Sequence, residues 1–394
     1  MAVSFGMLTT FPPTQCGLAT FSQALTAHLI ASGAGVSVVR VLDSPEAAQP
    51  LVTHQWVTGE HGGEKRAARA LNRHDIVLVQ HEYGIFGGDD GADVLTVLDD
   101  VRVPIVTVLH TVLTAPTPNQ RRVLADVVAA SSVVVTMTQT ARRRLIDGWG
   151  VEPDKVIVIA HGAEANRAPA HEVDTSRWVA AGRADDATAP DGRHPKRPSI
   201  LTWGLLGPGK GIEWAVEAMA ELADLDPRPM YRIVGQTHPR VVEHAGEAYR
   251  EALMAQVSRL GLDDHVTFDG RYLDGAKLRA IVRAADIILL PYDSREQVTS
   301  GVLTEAVVAG KPVVSTRFPH AVELLSDGAG LLVPQGDAPA IRGALRRLLT
   351  QPLLAEDTAR AARALAPTLL WPAVAAQYIG VGHELAATRT RSVA

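Results

Sequence analysis

Residues 285–315 read ADIILLPYDSREQVTSGVLTEAVVAGKPVVS, and this stretch decides the fold. An apolar run is followed by a polar loop, a segment with helical spacing, a glycine and a second apolar run. Runs that are apolar almost throughout are typical of strands covered on both faces of a parallel sheet. The stretch therefore predicts a β-α-β unit whose helix ends at Gly310.

The same alternation continues outward in both directions along the chain. Short apolar runs are separated by longer segments with helical spacing, which indicates repeated β-α units and a doubly wound α/β sheet. The predicted strands are residues 35–42, 75–80, 104–110, 133–137, 156–160, 231–235, 265–268, 285–290 and 312–315, with one more at the N-terminus and one from residue 199 onward, and the predicted helices include residues 20–32, 119–130 and 140–149.

Residues 166–198 interrupt the alternation, because they are poor in β-branched residues and rich in Ala, Asp, Arg and Pro. We interpret them as a linker or surface excursion between two Rossmann-like domains, residues 1–165 and 199–370. Residues 371–394 predict a closing helix that crosses back to the first domain. Two such domains joined by a linker indicate a ligand cleft between them.

The composition of the 394 residues excludes several classes of protein. A net charge of −5 leaves no basic footprint for nucleic acid. Cys16 is the single cysteine, so we expect no disulfide framework and a reducing, cytoplasmic location, and we interpret this thiol as a loop residue without a nucleophilic role. The sequence has no apolar run of the roughly 18 residues that a membrane span requires, and it does not begin like a signal peptide.

Three consecutive arginines, residues 142–144, precede Leu145, Ile146 and Trp149 in one predicted helix. A basic amphipathic helix can bind anionic lipids at a membrane surface. We interpret these arginines as a solvated helix face instead, and we expect at most peripheral membrane contact.

The second informative stretch is residues 203–213, WGLLGPGKGIE, between a predicted strand and a predicted helix. Its glycines, Gly207 and Gly209 among them, allow close backbone approach, and Lys210 can reach a phosphate oxygen. The spacing nearly matches a P-loop, but Gly211 stands where a magnesium-binding Ser or Thr is required, and Pro208 lacks an amide donor. We therefore predict a diphosphate-binding loop that works without a metal.

The loop that opens the helix of residues 285–315 predicts an anion- or hydroxyl-binding site. The amides of Thr299, Ser300 and Gly301 would point out of the helix N-terminus, where anions are stabilised. Glu305 lies about one turn into the helix and can accept two hydrogen bonds from a vicinal diol such as ribose. An ordinary surface loop with a solvated glutamate is the alternative.

Polar residues also follow predicted strands of the first half, at the edge where open α/β sheets bind ligands. His81, Glu82 and Tyr83 lie at one strand end, and His161 closes the half in the same way. His110 ends a neighbouring strand and is a candidate general base or substrate contact. A histidine with satisfied hydrogen bonds at a strand end is the alternative. The second histidine of an HExxH zinc motif is absent, which disfavours a metal.

Together these stretches resemble the retaining, nucleotide-sugar-dependent glycosyltransferases of family 4, which have the GT-B fold. The resemblance covers nearly the whole chain. It is carried by the first-strand loop with Gly17, the strand-end His110, IAHGAE (159–164), GLLGPGKG (204–211), YRIVG (231–235), VTFDGRYLD (266–274), the stretch through Glu305, and Trp371 at the start of the closing helix.

The resemblance implies roles for individual residues. It implies that Glu305 binds the ribose and Lys210 the diphosphate of a UDP- or GDP-sugar, and that His110 contacts the sugar. It implies no bound metal or other cofactor, because basic side chains and a helix N-terminus neutralise the leaving diphosphate. The donor-binding set is Gly17, Gly207, Gly209, Lys210, Arg271, Tyr272, Thr299, Ser300, Gly301, Val302 and Glu305; the acceptor-side set is His81, Glu82, Tyr83 and His161; and the catalytic candidates are His110, Lys210, Gln297 and Glu296.

Two departures from the family pattern concern charge. The family has an acidic residue eight positions before Glu305, where this chain has Gln297, with Glu296 one position earlier. A shift of one residue in this loop would bring Glu296 to the sugar. Leu205 stands where the family often has an arginine, so part of the leaving-group stabilisation has no assigned residue.

The leading hypothesis is a retaining transferase that moves a mannosyl- or glucosyl-type hexosyl unit from a nucleotide diphosphate sugar to a hydroxyl. The acceptor would be a glycan, a glycolipid or a small molecule. Gln297 and Leu205 keep open a non-catalytic protein that binds a nucleotide sugar or glycan. A sugar-nucleotide 2-epimerase on the same fold is another alternative. The near match to a P-loop also keeps open a kinase-like enzyme that depends on Mg-ATP.

Overall fold

The computed structural model describes residues 2–166 and 197–393 of the chain. It divides into two compact units. Unit 1 comprises Met1–Gly162 and Thr368–Ala394, and unit 2 comprises Ala163–Pro367. Most of the predicted linker, residues 167–196, lies outside the described residues.

Unit 1 contains a seven-stranded sheet in the order β3-β2-β1-β4-β5-β6-β7, and its paired strands are parallel. The strands are β1 Ser4–Thr9, β2 Gly35–Leu42, β3 Val52–Val57, β4 Ile76–His81, β5 Ile105–Leu109, β6 Val133–Thr136 and β7 Val156–Val158. The helices between them are α1 Gly17–Ala31, α2 Gly63–Leu71, α3 Asp93–Asp99, α4 Pro118–Ala130 and α5 Gln139–Arg143, which continues as a π-helical turn, Arg144–Gly148.

Unit 2 contains a six-stranded parallel sheet in the order β10-β9-β8-β11-β12-β13. The strands are β8 Ser199–Trp203, β9 Met230–Val234, β10 Val266–Asp269, β11 Ile287–Leu290, β12 Val313–Thr316 and β13 Leu331–Val333. The helices are α6 Ile212–Ala220, α7 Pro239–Ala245, α8 Ala248–Arg259, α9 Gly275–Ala284, α10 Gly301–Val308, α11 Pro319–Leu325, α12 Ala338–Thr350 and α13 Pro352–Leu369. The last helix, α14 Trp371–Val393, belongs to unit 1.

Both faces of the unit 1 sheet are covered, which explains its continuous apolar runs. Phe5 and Met7 of β1 pack into one core cluster with Phe21 of α1, whereas Leu8 packs into the opposite cluster with Leu71 of α2. All five side chains are nearly or fully buried. Successive strand residues therefore face different cores, and the predicted α/β fold with two parallel sheets is confirmed.

Helix α14 packs on unit 1, beside α1. Trp371, Val374 and Tyr378 belong to the same core cluster as Phe21. A Cβ atom on Gly162 would lie only 2.2 Å from the Trp371 ring, so glycine is required at the point where unit 1 meets this helix. This packing shows that α14 completes the core of unit 1.

Two strands and one helix differ from the sequence-based expectation. Strand β3 was not predicted, because His54 and Gln55 give this edge strand a polar, partly exposed face. Strand β13 has only three residues, too few for an apolar run to stand out. The helix predicted over residues 140–149 changes to π-helical geometry after Arg143. Among the described residues, no helix is long and apolar enough to cross a membrane.

Candidate functional site

The candidate site in unit 2 lies where the strand order reverses. The chain places β9 and β10 on one side of β8, and β11 to β13 on the other. The glycine-rich loop follows β8 and the loop of residues 291–300 follows β11, so two neighbouring loops flank this switch point at the carboxyl edge. Open α/β sheets bind ligands at this position.

The glycine-rich loop contacts the residues that directly follow β11. The Gly209 carbonyl accepts a 2.9 Å hydrogen bond from the Asp293 amide. Gly211 has φ +61°, and a Cβ there would lie 1.9 Å from the Pro291 carbonyl oxygen. A serine or threonine cannot occupy position 211 in this backbone, so the departure from a P-loop has a steric cause.

Lys210 is held over an aromatic ring. Its Nζ lies 4.2 Å from the centre of the Tyr292 ring, which also stacks on Phe318 at 5.2 Å between ring centres. Burial lowers the pKa of Lys210 to about 8. A partly desolvated cation on an aromatic face attracts anions more strongly than an ammonium group in water does.

Ser300 is the N-cap of α10. Its Oγ accepts a hydrogen bond of 3.2 Å from the Leu303 amide. Its own N–H donates to Nδ1 of His320 at 2.8 Å, so this amide, predicted to be open to a ligand, is engaged within the protein. Gly301 and Val302 have no acceptor among the described residues, and their N–H groups remain for an anion or hydroxyl.

Glu305 is half-buried on α10, two residues after Leu303. Burial raises the pKa of Glu305 to about 7, although the Trp203 side chain donates a hydrogen bond to its carboxylate and the Arg279 charge also favours ionisation. A carboxylate that has lost much of its hydration gains most from new hydroxyl donors. The local chemistry agrees with a diol-binding role.

Glu296 and Gln297, the two candidates for contact with the donor sugar, are both half-buried in the loop before α10. The Gln297 side-chain amide donates to the Thr299 carbonyl at 3.2 Å, and Glu296 also interacts within the protein. Which of the two meets a sugar stays a prediction.

Arg271 and Tyr272, which the family resemblance implies lie against the base of the donor, follow β10. The Arg271 guanidinium forms two hydrogen bonds with the Asp269 carboxylate, at 2.8 and 2.7 Å, and this pair is exposed on the arginine side. Tyr272 is 44% exposed, which leaves its ring accessible for stacking. Their contact with a base stays a prediction.

The sequence-based prediction missed the loop after β9. The Leu206 amide donates to Gln236 at 2.9 Å, and the His238 amide donates to the Leu206 carbonyl at 2.8 Å. Burial and the charges of Arg240 and Lys210 lower the pKa of His238. The loop therefore places His238 and Arg240 close to the glycine-rich loop. The signal available in the sequence was the run THPR (237–240), with a histidine and an arginine, which follows Gln236 after the predicted strand of residues 231–235.

In unit 1, His110 and His161 lie together around one aromatic ring. Their rings are each 4.9 Å from the Phe21 ring centre. His110 Nε2 donates to Gln80 at 2.8 Å, and His161 Nδ1 donates to the Gly162 carbonyl at 2.7 Å. Burial lowers the pKa of His161 to about 4 and that of His110 well below its usual value. Both rings are therefore neutral hydrogen-bonding groups at neutral pH.

The remaining predicted residues of unit 1 are more buried than expected. His81 is 0% exposed at the end of β4, and its contact with an acceptor stays a prediction. Burial also lowers its pKa to about 4. Glu82 accepts from Thr111 Oγ1 at 2.5 Å, and Tyr83 is 8% exposed.

The loop after β1 ends with Cys16 and leads into Gly17, the first residue of α1. Cys16 is the N-cap of α1, and its Sγ accepts from the Ala19 amide at 3.3 Å, which gives this thiol a capping role. Gly17 is the first residue of the helix, and a Cβ there would meet nothing within 4 Å. The open space at Gly17 leaves its backbone accessible.

Of the three consecutive arginines, Arg143 is exposed, as a solvated helix face requires, whereas Arg142 and Arg144 are half-buried. Arg142 donates to the Val156 and Pro153 carbonyls at 3.0 Å, and Arg144 donates to the Val112 carbonyl at 2.8 Å. These bonds tie α5 to the neighbouring backbone. A cavity of about 480 Å³ opens beside this helix, lined in part by Leu113, Thr114, Arg143, Arg144, Asp147 and Trp149.

Across residues 2–166 and 197–393, no three His, Cys, Asp or Glu side chains converge as metal ligands. The charged and polar groups of the unit 2 site include the Lys210 ammonium, the Glu305 carboxyl group and the N-terminus of α10. The arrangement can bind an anion and a vicinal diol side by side.

Comparison with solved structures defines the class of fold. The chain is similar to Anabaena HepE, solved in complex with UDP and glucose, with a TM-score of 0.73, 17% identity and coverage of 96% of this chain and 99% of that one. It is also similar to sucrose-phosphate synthase from Thermosynechococcus elongatus, with a TM-score of 0.72, 18% identity and coverage of 98% and 100%. The fold is GT-B.

Sequence comparison defines the family. Residues 197–351 match the family model described as "Glycosyl transferases group 1". A D-inositol 3-phosphate glycosyltransferase of Acidothermus cellulolyticus is 29% identical over 384 residues, 93% of this chain and 73% of that protein. One from Kineococcus radiotolerans is 32% identical over 286 residues, 66% of this chain and 61% of that protein. These similarities identify the chain as a glycosyltransferase, and therefore as an enzyme.

Proposed function

We propose that this glycosyltransferase takes a hexosyl unit from a nucleotide diphosphate sugar and transfers it, with retention of the anomeric configuration, to a hydroxyl of its acceptor. The observation that carries the proposal is the grouping of three features around the β8–β11 switch point. These are the Lys210 cation on Tyr292, the open N–H groups of Gly301 and Val302, and the Glu305 carboxylate. Together they match a diphosphate and a ribose.

In the proposed reaction, the protein positions the donor and stabilises the charge that develops on the leaving diphosphate. Lys210 and the first turn of α10 carry that charge, so no bound metal is needed. Glu305 accepts hydrogen bonds from the ribose hydroxyls. The leaving phosphate oxygen takes the proton of the acceptor hydroxyl, and the new glycosidic bond forms on the face from which the diphosphate departs.

In the proposed reaction, unit 1 provides neutral histidine side chains that can form hydrogen bonds. His110, with its Nε2 hydrogen donated to Gln80, keeps a neutral ring that can hydrogen-bond a sugar hydroxyl without competing for the diphosphate charge. The curated relatives are named for a phosphorylated inositol, which makes inositol phosphate the first acceptor to test. UDP is the first nucleotide to test, because a fold neighbour was solved with it.

The decisive experiment measures nucleotide binding and product formation with the full chain. Isothermal titration calorimetry with UDP and GDP should show binding to one of them, and Glu305→Ala should weaken that binding by about tenfold or more. Incubation of the matching hexosyl donor with inositol phosphate, followed by NMR, should show an α-configured product from an α-configured donor. Binding of neither nucleotide would contradict the proposal. A 2-epimer formed without acceptor would identify an epimerase instead.

A further inference from the structure

Ser300 lacks the local partner that usually completes the start of a helix. In a capping box, the residue three positions after the N-cap is Glu or Gln, and its side chain accepts a hydrogen bond from the N-cap N–H. That position is Leu303, which is 0% exposed and packs in the core. An alkyl side chain cannot accept a hydrogen bond, so the buried Ser300 amide needs an acceptor from elsewhere.

His320, the second residue of α11, supplies that acceptor. Its Nδ1 lies 2.8 Å from the Ser300 nitrogen, and its own backbone N–H donates to the Gln297 carbonyl at 3.4 Å. The residue is 5% exposed, so water does not compete freely for these bonds. One residue, 20 positions further along the chain, therefore holds both Gln297 and Ser300 of the loop that opens α10.

The turn that carries His320 also supports the Lys210 platform. The Phe318 ring stacks on Tyr292 at 5.2 Å with an interplanar angle of 28°. Thr316 Oγ1 donates to the Tyr292 carbonyl at 2.6 Å. The segment from the end of β12 to the start of α11 thus contacts both the platform of the lysine and the cap of the helix.

We propose that His320 is a positioning residue for donor binding. By accepting the Ser300 N–H, it holds the first turn of α10 in the orientation in which the Gly301 and Val302 N–H groups meet the donor. The inference rests on the donor site proposed above. Nδ1 can accept only while it carries no proton, so the neutral ring has its hydrogen on Nε2. His320 acts through Ser300 and is not a catalytic residue.

Two substitutions separate this role from simple packing. In His320→Asn, Oδ1 stands three bonds from Cα, as Nδ1 does, and can accept the Ser300 N–H. His320→Leu fills similar space without an acceptor. We expect His320→Leu to weaken binding of UDP or GDP, whichever the wild type binds, by about 3- to 30-fold and to raise the donor KM more than it lowers kcat. His320→Asn should stay close to the wild type in both.

The outcomes are distinguishable. Equal nucleotide affinity in His320→Leu and wild type, or equal loss in the Leu and Asn variants, would overturn the inference. If His320→Leu does not fold, hydrogen exchange at the Ser300 amide decides, since it should be protected in the wild type and the Asn variant. Rapid exchange there in the wild type would overturn the inference. If the wild type binds neither nucleotide, the proposed donor site fails, whereas the exchange measurement still tests the cap.

Discussion

The ammonium group of Lys210 lies 4.2 Å above the centre of the Tyr292 ring. Among the described residues, no carboxylate forms an ion pair with this lysine. An aromatic face attracts a cation without neutralising it, so the full charge stays available to an anion. Burial of the Lys210 side chain lowers its pKa to about 8, so the ammonium group is charged at neutral pH but loses its proton just above it.

Lys210→Met should weaken binding of the nucleoside diphosphate by about 10- to 100-fold, because methionine keeps the packing on Tyr292 and removes the charge. Affinity for the nucleoside alone should not change. Calorimetry with both ligands measures the two effects. Lys277→Met is the matched control, since Lys277 is exposed and pairs with Asp274 on α9. An equal loss for nucleoside and diphosphate would contradict a role for Lys210 in phosphate binding.

Glu305→Gln should stabilise the ligand-free protein above neutral pH while it weakens ribose binding. Burial raises the pKa of Glu305 from 4.5 to about 7, so the folded protein binds this proton more tightly than the unfolded chain does. The stability that the protonated carboxyl contributes is fully present below pH 4.5 and is lost as the pH rises through about 7. Between pH 4.5 and about pH 7, the free energy of unfolding falls by about 1.4 kcal/mol per pH unit.

Thermal unfolding at pH 5 and pH 8 checks this prediction. The Tm of Glu305→Gln should exceed that of the wild type at pH 8, and the difference should shrink at pH 5. Glu251→Gln, at an exposed position on α8, should show neither change. A lower Tm for Glu305→Gln at pH 8 would show that the carboxylate stabilises the free protein.

Binding of the nucleotide sugar should be tightest between about pH 7 and 8. Below about pH 7 Glu305 is protonated and loses acceptor capacity, and above about pH 8 Lys210 loses its charge. The diphosphate diester of a nucleotide sugar does not itself titrate between pH 6 and 9, so the profile reports the protein. Calorimetry across that range should show Glu305→Gln without the acidic decline and Lys210→Met without the alkaline decline. A flat wild-type profile would contradict both assignments.

Gly211→Ser should fail to create a magnesium site and should instead destabilise unit 2 by about 3 kcal/mol or more. The new Cβ would lie 1.9 Å from the Pro291 carbonyl oxygen, in a backbone conformation with φ +61°. Gly209→Ser is the matched control, because Gly209 also has a positive φ but no atom within 4 Å of its Cβ position. Its Tm should fall by much less. A folded Gly211→Ser variant that binds Mg-ATP would contradict the steric explanation.

The residues of the candidate site differ in how far the sequence predicted them. Lys210 and Glu305 are recognisable from local spacing, since each lies in a loop or helix directly after a strand. His320 is not, because its partner Ser300 is 20 residues away and the bond depends on where the fold places the start of α11 relative to the loop before α10. His238 was missed for a related reason, since β9 pairs with β8 and brings the loop after it beside the glycine-rich loop.

The sequence by itself determined the alternation of strands and helices, because strand and helix periodicities are properties of neighbouring residues. It also determined which loops carry a lysine, a carboxylate or an open helix start. Tertiary structure alone decided that His81 is fully buried, that the Ser300 amide is engaged by His320, and that Glu305 and Lys210 titrate near neutral pH. Burial and desolvation depend on every segment packed around a group, and those segments are distant in sequence.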